Sequence, residues 1–140
     1  MNIPELLSDL SIHYNAFIRK VAAALGLTSS QAFHLISIPF DGISMSGLSD
    51  RLGLDTSTLT RNIQKLEKLG LVKRTRETYD KRIQKVFLTA TGSQSVNNIE
   101  ERLNDINYTL VENLDIDTQE KLLEILEQLV WAMDCLRLEK

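Results

Sequence analysis

The amino-acid sequence predicts a mainly α-helical fold of the α+β type, in which short helices and one β-hairpin lie between long terminal helices. Apolar residues recur at steps of three and four near both ends of the chain, as they do in amphipathic helices. Residues 53–55 read Gly-Leu-Asp between two short helical segments, and after Gly70 the helical spacing gives way to two strand-like runs. With 140 residues, 43% of them hydrophobic and 25% charged, the chain is expected to form one domain.

The first two helices are predicted from apolar spacing and from residues that start or stop helices. A long first helix is expected over residues 3–25, where apolar side chains repeat at helical intervals. Either Thr28 or Ser29 can cap a second helix, which Pro39 should stop. The stretch 39–44 is expected to be a loop with one short extended segment.

Two short helices around a tight turn are predicted next. Ser46 is expected to begin a helix that Gly53 ends in the left-handed conformation. Asp55 can cap the following helix, which runs through Leu69 and closes at Gly70. Such a pair of helices is a helix-turn-helix.

A β-hairpin is predicted after the helix-turn-helix. Residues 71–76 and 83–88 alternate apolar and polar side chains in the manner of short strands, and the polar stretch 77–82 between them favours a turn. Thr89 can cap the helix that follows.

Two long helices are predicted at the C-terminal end. Apolar residues from Val96 to Leu114 lie at steps of three and four, residues 115–117 interrupt the series, and it resumes over 118–138. Helices of this length exceed what a small central domain can cover, so we expect a second copy of the chain to cover them through a two-fold interface. An antiparallel pair of helices within one chain is the alternative.

The distribution of charge singles out residues 61–87. The chain has a net charge of −3, but this segment holds nine lysines and arginines against three acids. A basic segment in an acidic chain can attract a polyanion to one face. Charge alone fits a solvated lysine-rich surface equally well, so the arrangement of the side chains has to decide.

The helix after Asp55 is predicted to have an apolar inner face and a polar outer face. Leu59, Ile63 and Leu66 lie on one side at helical spacing. The outward surface carries hydroxyl, amide and cationic groups, at Ser57, Thr58, Thr60, Arg61, Gln64, Lys65 and Lys68. These groups bond base edges and phosphates in a DNA major groove, and Glu67 falls to the side of this surface.

The hairpin offers a second contact with DNA. Arg82 lies near its tip and could enter a narrow minor groove, where the negative potential is enhanced. Asp80 would be unfavourable there unless it orients a guanidinium, either that of Arg82 or that of Arg74. Positive charge for the phosphates would come from Lys73, Arg74, Arg76, Lys81 and Lys85.

The segment from Leu48 to Gly92 resembles the winged helix-turn-helix of the MarR family of bacterial and archaeal regulators. The matching stretches are Leu27–Gln31, Leu48–Leu54, Ser57–Arg61, Leu66–Val72, Asp80-Lys81-Arg82 and Leu88-Thr89-Ala90-Thr91-Gly92. The spacing of Asp-x-Arg and the following Leu-Thr-x-x-Gly is the most specific part. Two positions depart from the usual pattern: Ser49 stands where alanine is usual, and Gly47 where a helix-favouring polar residue is common.

The resemblance implies a single domain over 1–140, with a DNA-binding winged-helix lobe at 28–92 and dimerisation helices at 1–27 and 93–140. It implies a homodimer on double-stranded DNA, whose recognition helices enter successive major grooves of a pseudo-palindromic operator. Arg82 would enter the minor groove and Asp80 would position it. We therefore expect a transcriptional regulator that a small-molecule effector could release from DNA; a repressor is favoured, and an activator is the alternative.

The sequence leaves three further hypotheses open. His13, Phe17 and His34 are candidates for lining a cleft that binds a small phenolic or other apolar effector, since relatives in the family bind phenolic compounds; core or solvated positions are the alternative. Cys135 could gate DNA binding by oxidation, but no Lys or His is adjacent in sequence to activate its thiol, so a structural role is expected. A winged helix used as a protein-interaction module without DNA binding is a third possibility, and the basic outward face of residues 57–68 argues against it.

Other classes of protein are disfavoured. No nucleophile–base set or glycine-rich phosphate loop is visible, so an enzyme and a cofactor are not expected. The two histidines and one cysteine are scattered, which disfavours a metal site. No apolar run approaches the roughly 20 residues of a membrane span. The N-terminal sequence does not read as a secretory signal, and a single cysteine fits the reducing cytoplasm.

Overall fold

The computed structural model describes residues 1–138, within which six α-helices accompany a three-stranded antiparallel sheet. In chain order the elements are α1 (Ile3–Ala24), α2 (Ser29–Ile36), β1 (Ile43–Ser44), α3 (Met45–Leu52), α4 (Thr56–Lys68), β2 (Val72–Arg76), β3 (Gln84–Leu88), α5 (Ala90–Val111) and α6 (Ile116–Leu138). The mainly helical α+β fold predicted from the sequence is confirmed.

Capping boxes begin the first two helices. The Asn2 side chain accepts a hydrogen bond from the Glu5 N–H at 3.0 Å, and the Glu5 carboxylate accepts one from the Asn2 N–H at 3.2 Å. Thr28 and Gln31 make the same reciprocal pair at the start of α2, at 3.1 and 3.0 Å. Thr28, and not Ser29, is therefore the cap of α2.

The start of α3 differs from the prediction. The Ser44 hydroxyl accepts a hydrogen bond from the Gly47 N–H at 3.0 Å, so α3 begins at Met45 and the expectation that Ser46 begins it is wrong. Both serines can cap a helix, but only Ser44 ends a strand. A Cβ at position 47 would lie 3.0 Å from the Ser44 hydroxyl and 3.2 Å from Ile43, so a glycine suits this tight strand-to-helix turn.

The turn between α3 and α4 is closed by hydrogen bonds on both sides. Gly53 has φ 67°, the left-handed conformation predicted for it. The Leu54 N–H donates to the Ser49 carbonyl at 3.0 Å, and the Ser49 hydroxyl donates to the Leu54 carbonyl at 2.6 Å. Ser49, one of the two departures from the family pattern, thus links the end of α3 to the turn through both its carbonyl and its hydroxyl group. Asp55 caps α4 as predicted, because its carboxylate accepts from the Thr58 N–H at 2.7 Å.

The sheet has the order β1-β3-β2, and its neighbouring strands are antiparallel. Val86 of β3 lies opposite Ile43 on one side and Arg74 on the other. The predicted hairpin is confirmed, with each strand one residue shorter at its start, and the expected extended segment in residues 39–44 is β1.

The start of α5 packs closely against the turn between α4 and β2. The Thr89 N–H donates to the Leu71 carbonyl at 3.1 Å, and the Thr89 hydroxyl donates to the Gly70 carbonyl at 2.6 Å. The same hydroxyl accepts from the Gly92 N–H at 3.0 Å, so Thr89 caps α5 as predicted. A Cβ at position 92 would overlap the Leu71 carbonyl oxygen, so only glycine permits this approach.

The chain divides into two compact units, of which the first is Met1–Leu103. Its hydrophobic core is formed by buried residues of α2, α3, α4, the sheet and two of the connections between them: Leu35, Ile38, Met45, Leu48, Leu59, Ile63, Leu66, Leu71, Val72 and Val86. Because Leu59, Ile63 and Leu66 belong to this core, the core holds α4 by its inner face. The division at residues 28 and 92 expected from the sequence stays a prediction.

The second unit begins at Asn104 and contains the end of α5 and all of α6. Asp115 caps α6 by accepting from the Thr118 N–H at 2.7 Å, and the Gln119 side chain donates to the carbonyls of Val111 and Leu114. No residue of α6 is buried. Within residues 1–138, no helix combines the length and apolar character needed to cross a membrane.

Candidate nucleic-acid interface

The two faces of α4 are separated as the sequence predicts. Leu59, Ile63 and Leu66 are completely buried. The outward positions are exposed at Ser57, Arg61, Gln64, Lys65 and Lys68, and partly exposed at Thr58 and Thr60. The helix is therefore held by its apolar side and presents polar and cationic groups on the other.

Hydroxyl groups in the first turns of α4 are oriented by local hydrogen bonds. The Ser57 hydroxyl donates to the Asp55 carboxylate at 2.8 Å, and the Thr60 hydroxyl donates to the Thr56 carbonyl at 2.8 Å. Each hydroxyl oxygen retains lone pairs, so it can still accept a hydrogen bond from an amino group of a base. The start of α4 thus presents short, oriented acceptors.

The carboxylate that caps α4 is strongly held in its ionised form. Hydrogen bonds from the Thr58 N–H and from the Ser57 hydroxyl lower the pKa of Asp55 from 3.8 to about 2. The cap is consequently charged throughout the neutral range, and the first turn of α4 is fixed by it.

At the tip of the hairpin, Asp80 holds Arg82. The Arg82 guanidinium donates from Nε to Asp80 Oδ1 at 3.0 Å and from Nη2 to Oδ2 at 3.1 Å, and the Arg82 N–H also donates to Oδ1 at 3.0 Å. The guanidinium lowers the pKa of Asp80, and Asp80 raises the pKa of Arg82. The Arg82 side chain remains 91% exposed. Of the two arginines considered for Asp80, Arg82 is the correct one.

Cations along the hairpin also brace it. Arg76 donates from Nη1 to the Lys81 carbonyl at 2.7 Å across the turn. Lys85 lies 3.8 Å from the Glu77 carboxylate and 5.4 Å from the centre of the Phe87 ring. These side chains add positive charge and also link the two sides of the β2–β3 hairpin, residues 72–88, which forms the wing.

Arg74 has a partner that the sequence analysis missed. Its Nη2 lies 2.8 Å from Glu67 Oε1, and its Nε donates to the same oxygen at 3.0 Å. The sequence predicts Glu67 at the side of the outward surface of α4, and nothing in the sequence indicates that its carboxylate turns toward β2. The pair joins the end of α4 to the base of the wing.

Comparisons with known proteins agree with this geometry. A model of the MarR family matches residues 25–83. The transcriptional regulator SarZ of Staphylococcus epidermidis is 35% identical over 105 residues, which cover 74% of this chain and 68% of that protein. The chain belongs to the MarR family. Members of this family are transcriptional regulators and not enzymes.

Solved structures of MarR-family proteins share the fold of this MarR-family chain. A MarR transcriptional regulator from Methanosarcina mazei has a TM-score of 0.81 and 28% identity, covering 93% of this chain and 94% of that one. A mutant MarR from E. coli, solved in complex with operator DNA, has a TM-score of 0.73 and 26% identity, covering 91% and 94%. The helix-turn-helix and wing are thus those of a MarR-family winged-helix regulator.

The structure places the three candidate effector residues differently. His34 is buried: its Nδ1 donates to the Ser30 carbonyl at 2.6 Å and its Nε2 accepts from the Asn62 amide at 3.1 Å. A cavity of about 140 Å³ beside it is lined by Thr28, Ser30, Gln31, His34, Asn62, Lys65 and Leu66. His13 is exposed and Phe17 half-buried on α1, and neither lines this cavity. The effector role of the three residues stays a prediction.

Cys135 is exposed on α6. The described residues 1–138 contain no group of three or more His, Cys, Asp and Glu side chains arranged to hold a metal ion.

Proposed function

We propose that this MarR-family regulator acts in the cytoplasm as a homodimeric repressor that binds a pseudo-palindromic operator in double-stranded DNA. The observation that carries the proposal is the combination of the polar, cationic outer face of α4 with the fully displayed Arg82 held by Asp80. A helix of this kind fits a major groove, and an oriented arginine on a projecting hairpin fits the adjacent minor groove.

The contacts divide into two classes in this proposal. Residues in the first turns of α4, together with Gln64, lie where they can reach base edges, and Arg82 reads the width of the minor groove. Apart from Arg74, which pairs with Glu67, the remaining cations would contact phosphates: Lys65, Lys68, Lys73, Arg76, Lys81 and Lys85. Phosphate contacts make binding weaken steeply as salt rises, whereas base contacts distinguish one duplex from another.

Exposed apolar surface on the terminal helices supports the homodimer. The large exposed hydrophobic side chains of α6 are Ile116, Leu122, Leu123, Ile125, Leu126, Val130, Trp131, Met133, Leu136 and Leu138. On α1 the corresponding residues are Ile3, Leu6, Leu10, Ile12 and Tyr14. Apolar patches of this extent mark an interaction site, and a second copy of the chain supplies an equally apolar surface. Pairing α6 with the end of α5 in one chain leaves these side chains exposed, which disfavours the intramolecular alternative.

Repression would result from the position of a dimer on the operator. A dimer whose two recognition helices lie one helical turn apart, roughly 34–36 Å, covers one face of the operator and excludes other proteins from it. We expect transcription to fall when the operator overlaps a promoter. A small phenolic or other apolar effector would release the DNA only if it favours a dimer with a different spacing of the two helices.

Sedimentation and DNA titration together test the proposal. We expect a dimer at micromolar concentration, and duplex binding whose affinity falls by orders of magnitude between about 50 and 200 mM salt. A monomer in sedimentation, or no binding of genomic duplexes at 50 mM salt, would overturn it. Phenolic acids and peroxide added to the complex, with Cys135→Ser as the control for oxidation, identify any effector or redox control.

A further inference from the structure

The ion pair between Glu67 and Arg74 joins two elements that the proposed function uses separately. Glu67 lies in the last turn of α4, whose outer face would enter the major groove, and Arg74 lies in the middle of β2, whose hairpin carries Arg82. Both guanidinium contacts go to the same carboxylate oxygen, at 2.8 and 3.0 Å. The pair therefore spans the turn between helix and wing.

The backbone explains why Arg74 faces α4. Residues two apart on a strand share a face of the sheet, so Arg74 lies on the same side as Val72, which is buried in the core against α4. Lys73 points to the opposite side and is exposed. The side chain of Arg74 is only 20% exposed and that of Glu67 32% exposed, so the pair is largely screened from water.

We propose that Glu67 and Arg74 are a positioning pair that fixes the wing relative to the recognition helix, and that Arg74 does not contact phosphate. This inference rests on the proposed DNA binding. Arg74 has its charge balanced by Glu67 and its guanidinium directed at the protein. The hairpin that displays Arg82 is anchored at its base by this contact, so the distance between the two DNA-reading elements depends on it.

The two roles of Arg74 predict opposite effects for Glu67→Gln. If Arg74 contacted phosphate, removing the neighbouring acid would free the guanidinium and tighten binding to a polyanion. If the pair positions the wing, Glu67→Gln weakens binding, even though the protein becomes more positive. We expect binding about 5- to 20-fold weaker for Glu67→Gln and for Arg74→Gln, and no additional loss in the double variant.

Lys73→Gln is the matched control, since it removes one cation from the adjacent position of the same strand. It should reduce the slope of log affinity against log salt by about 0.9, as the loss of one phosphate contact does. Arg74→Gln should leave that slope unchanged. Arg82→Ala should also cost less affinity in the Glu67→Gln background than in the wild type, because the wing no longer holds Arg82 in place.

A measurement without DNA separates this inference from the proposed function. Spin labels at Gln64→Cys and Tyr79→Cys, in a Cys135→Ser background, report the distance between α4 and the wing tip. Glu67→Gln should broaden that distance distribution while the far-ultraviolet circular dichroism shows an intact fold. An unchanged distribution, or tighter DNA binding by Glu67→Gln, would overturn the inference. Failure of the wild type to bind any duplex would overturn the proposed function and leave the spin-label result to decide the role of the pair.

Discussion

Asp80 and Arg82 form a bidentate ion pair at the tip of the wing, and the Arg82 backbone N–H donates a third hydrogen bond to the same carboxylate. The guanidinium is held in one direction while its outer surface stays open to solvent. The partly buried carboxylate of Asp80 therefore orients the exposed arginine beside it.

Arg82→Ala should weaken duplex binding about tenfold without changing the melting temperature, because the side chain contacts only the wing tip. Asp80→Ala should also weaken binding, by about three- to tenfold, although it removes a negative charge from the DNA-binding side. Fluorescence anisotropy with a labelled duplex measures both. The exposed Glu100→Gln removes the same charge outside the proposed interface and should bind like the wild type. Tighter binding by Asp80→Ala would contradict the positioning role.

The cap of α4 predicts a specific dependence of stability on pH. The pKa of Asp55 is lowered to about 2 in the folded chain, from 3.8. Its contribution to stability is thus complete above pH 3.8 and is lost as the pH falls through about 2. Asp55→Asn keeps a capping side chain, but one that does not titrate. The variant should therefore melt near the wild-type temperature at pH 7, and its melting temperature should fall less than that of the wild type between pH 4 and pH 2. Thermal melts of the two proteins across this range make the comparison, and parallel curves would refute the prediction.

Gly92→Ala should destabilise the fold. Alanine gains up to about 1 kcal/mol of helix propensity, but its Cβ would overlap the Leu71 carbonyl, and the forced shift costs about 3 kcal/mol. A net loss of about 2 kcal/mol in the free energy of unfolding is expected from urea denaturation. Ser93→Ala, at an exposed neighbouring position, should change it by less than about 0.5 kcal/mol.

The partly buried hydrogen bond between His34 and Asn62 ties α2 to α4. His34→Leu or Asn62→Leu alone leaves a polar atom of its partner unpaired, which should cost about 1–3 kcal/mol of unfolding free energy. The loss of unfolding free energy in the double variant should be smaller than the sum of the losses in the two single variants, by about 1 kcal/mol or more. Additive losses in urea denaturation would show that the two side chains do not depend on each other.

Features set by local sequence were predicted correctly. The spacing of Leu59, Ile63 and Leu66 identified the inner face of α4, and Asp55 and Thr89 identified helix starts, because capping depends on residues within three positions. The start of α3 was misplaced because two serines stand two residues apart and only the strand pairing distinguishes them.

Contacts between distant residues could not be predicted. His34 and Asn62 are 28 positions apart, and their hydrogen bond depends on how α2 packs on α4. Glu67 and Arg74 are seven apart, but their pairing depends on the path of the chain through the turn at Gly70 and on side-chain rotamers. The sequence therefore singled out the exposed polar and cationic groups that are proposed to read DNA, and their role stays a prediction. The contacts that orient these groups required the structure.

Selection of bound duplexes from a random pool tests the central claim most directly. The 140-residue chain, incubated with the pool at low salt, should enrich a pseudo-palindrome whose half-sites are about one helical turn apart, and Arg82→Ala should enrich it more weakly. Enrichment of no sequence, or of an unpaired half-site alone, would contradict a dimeric regulator that reads DNA through α4 and the wing.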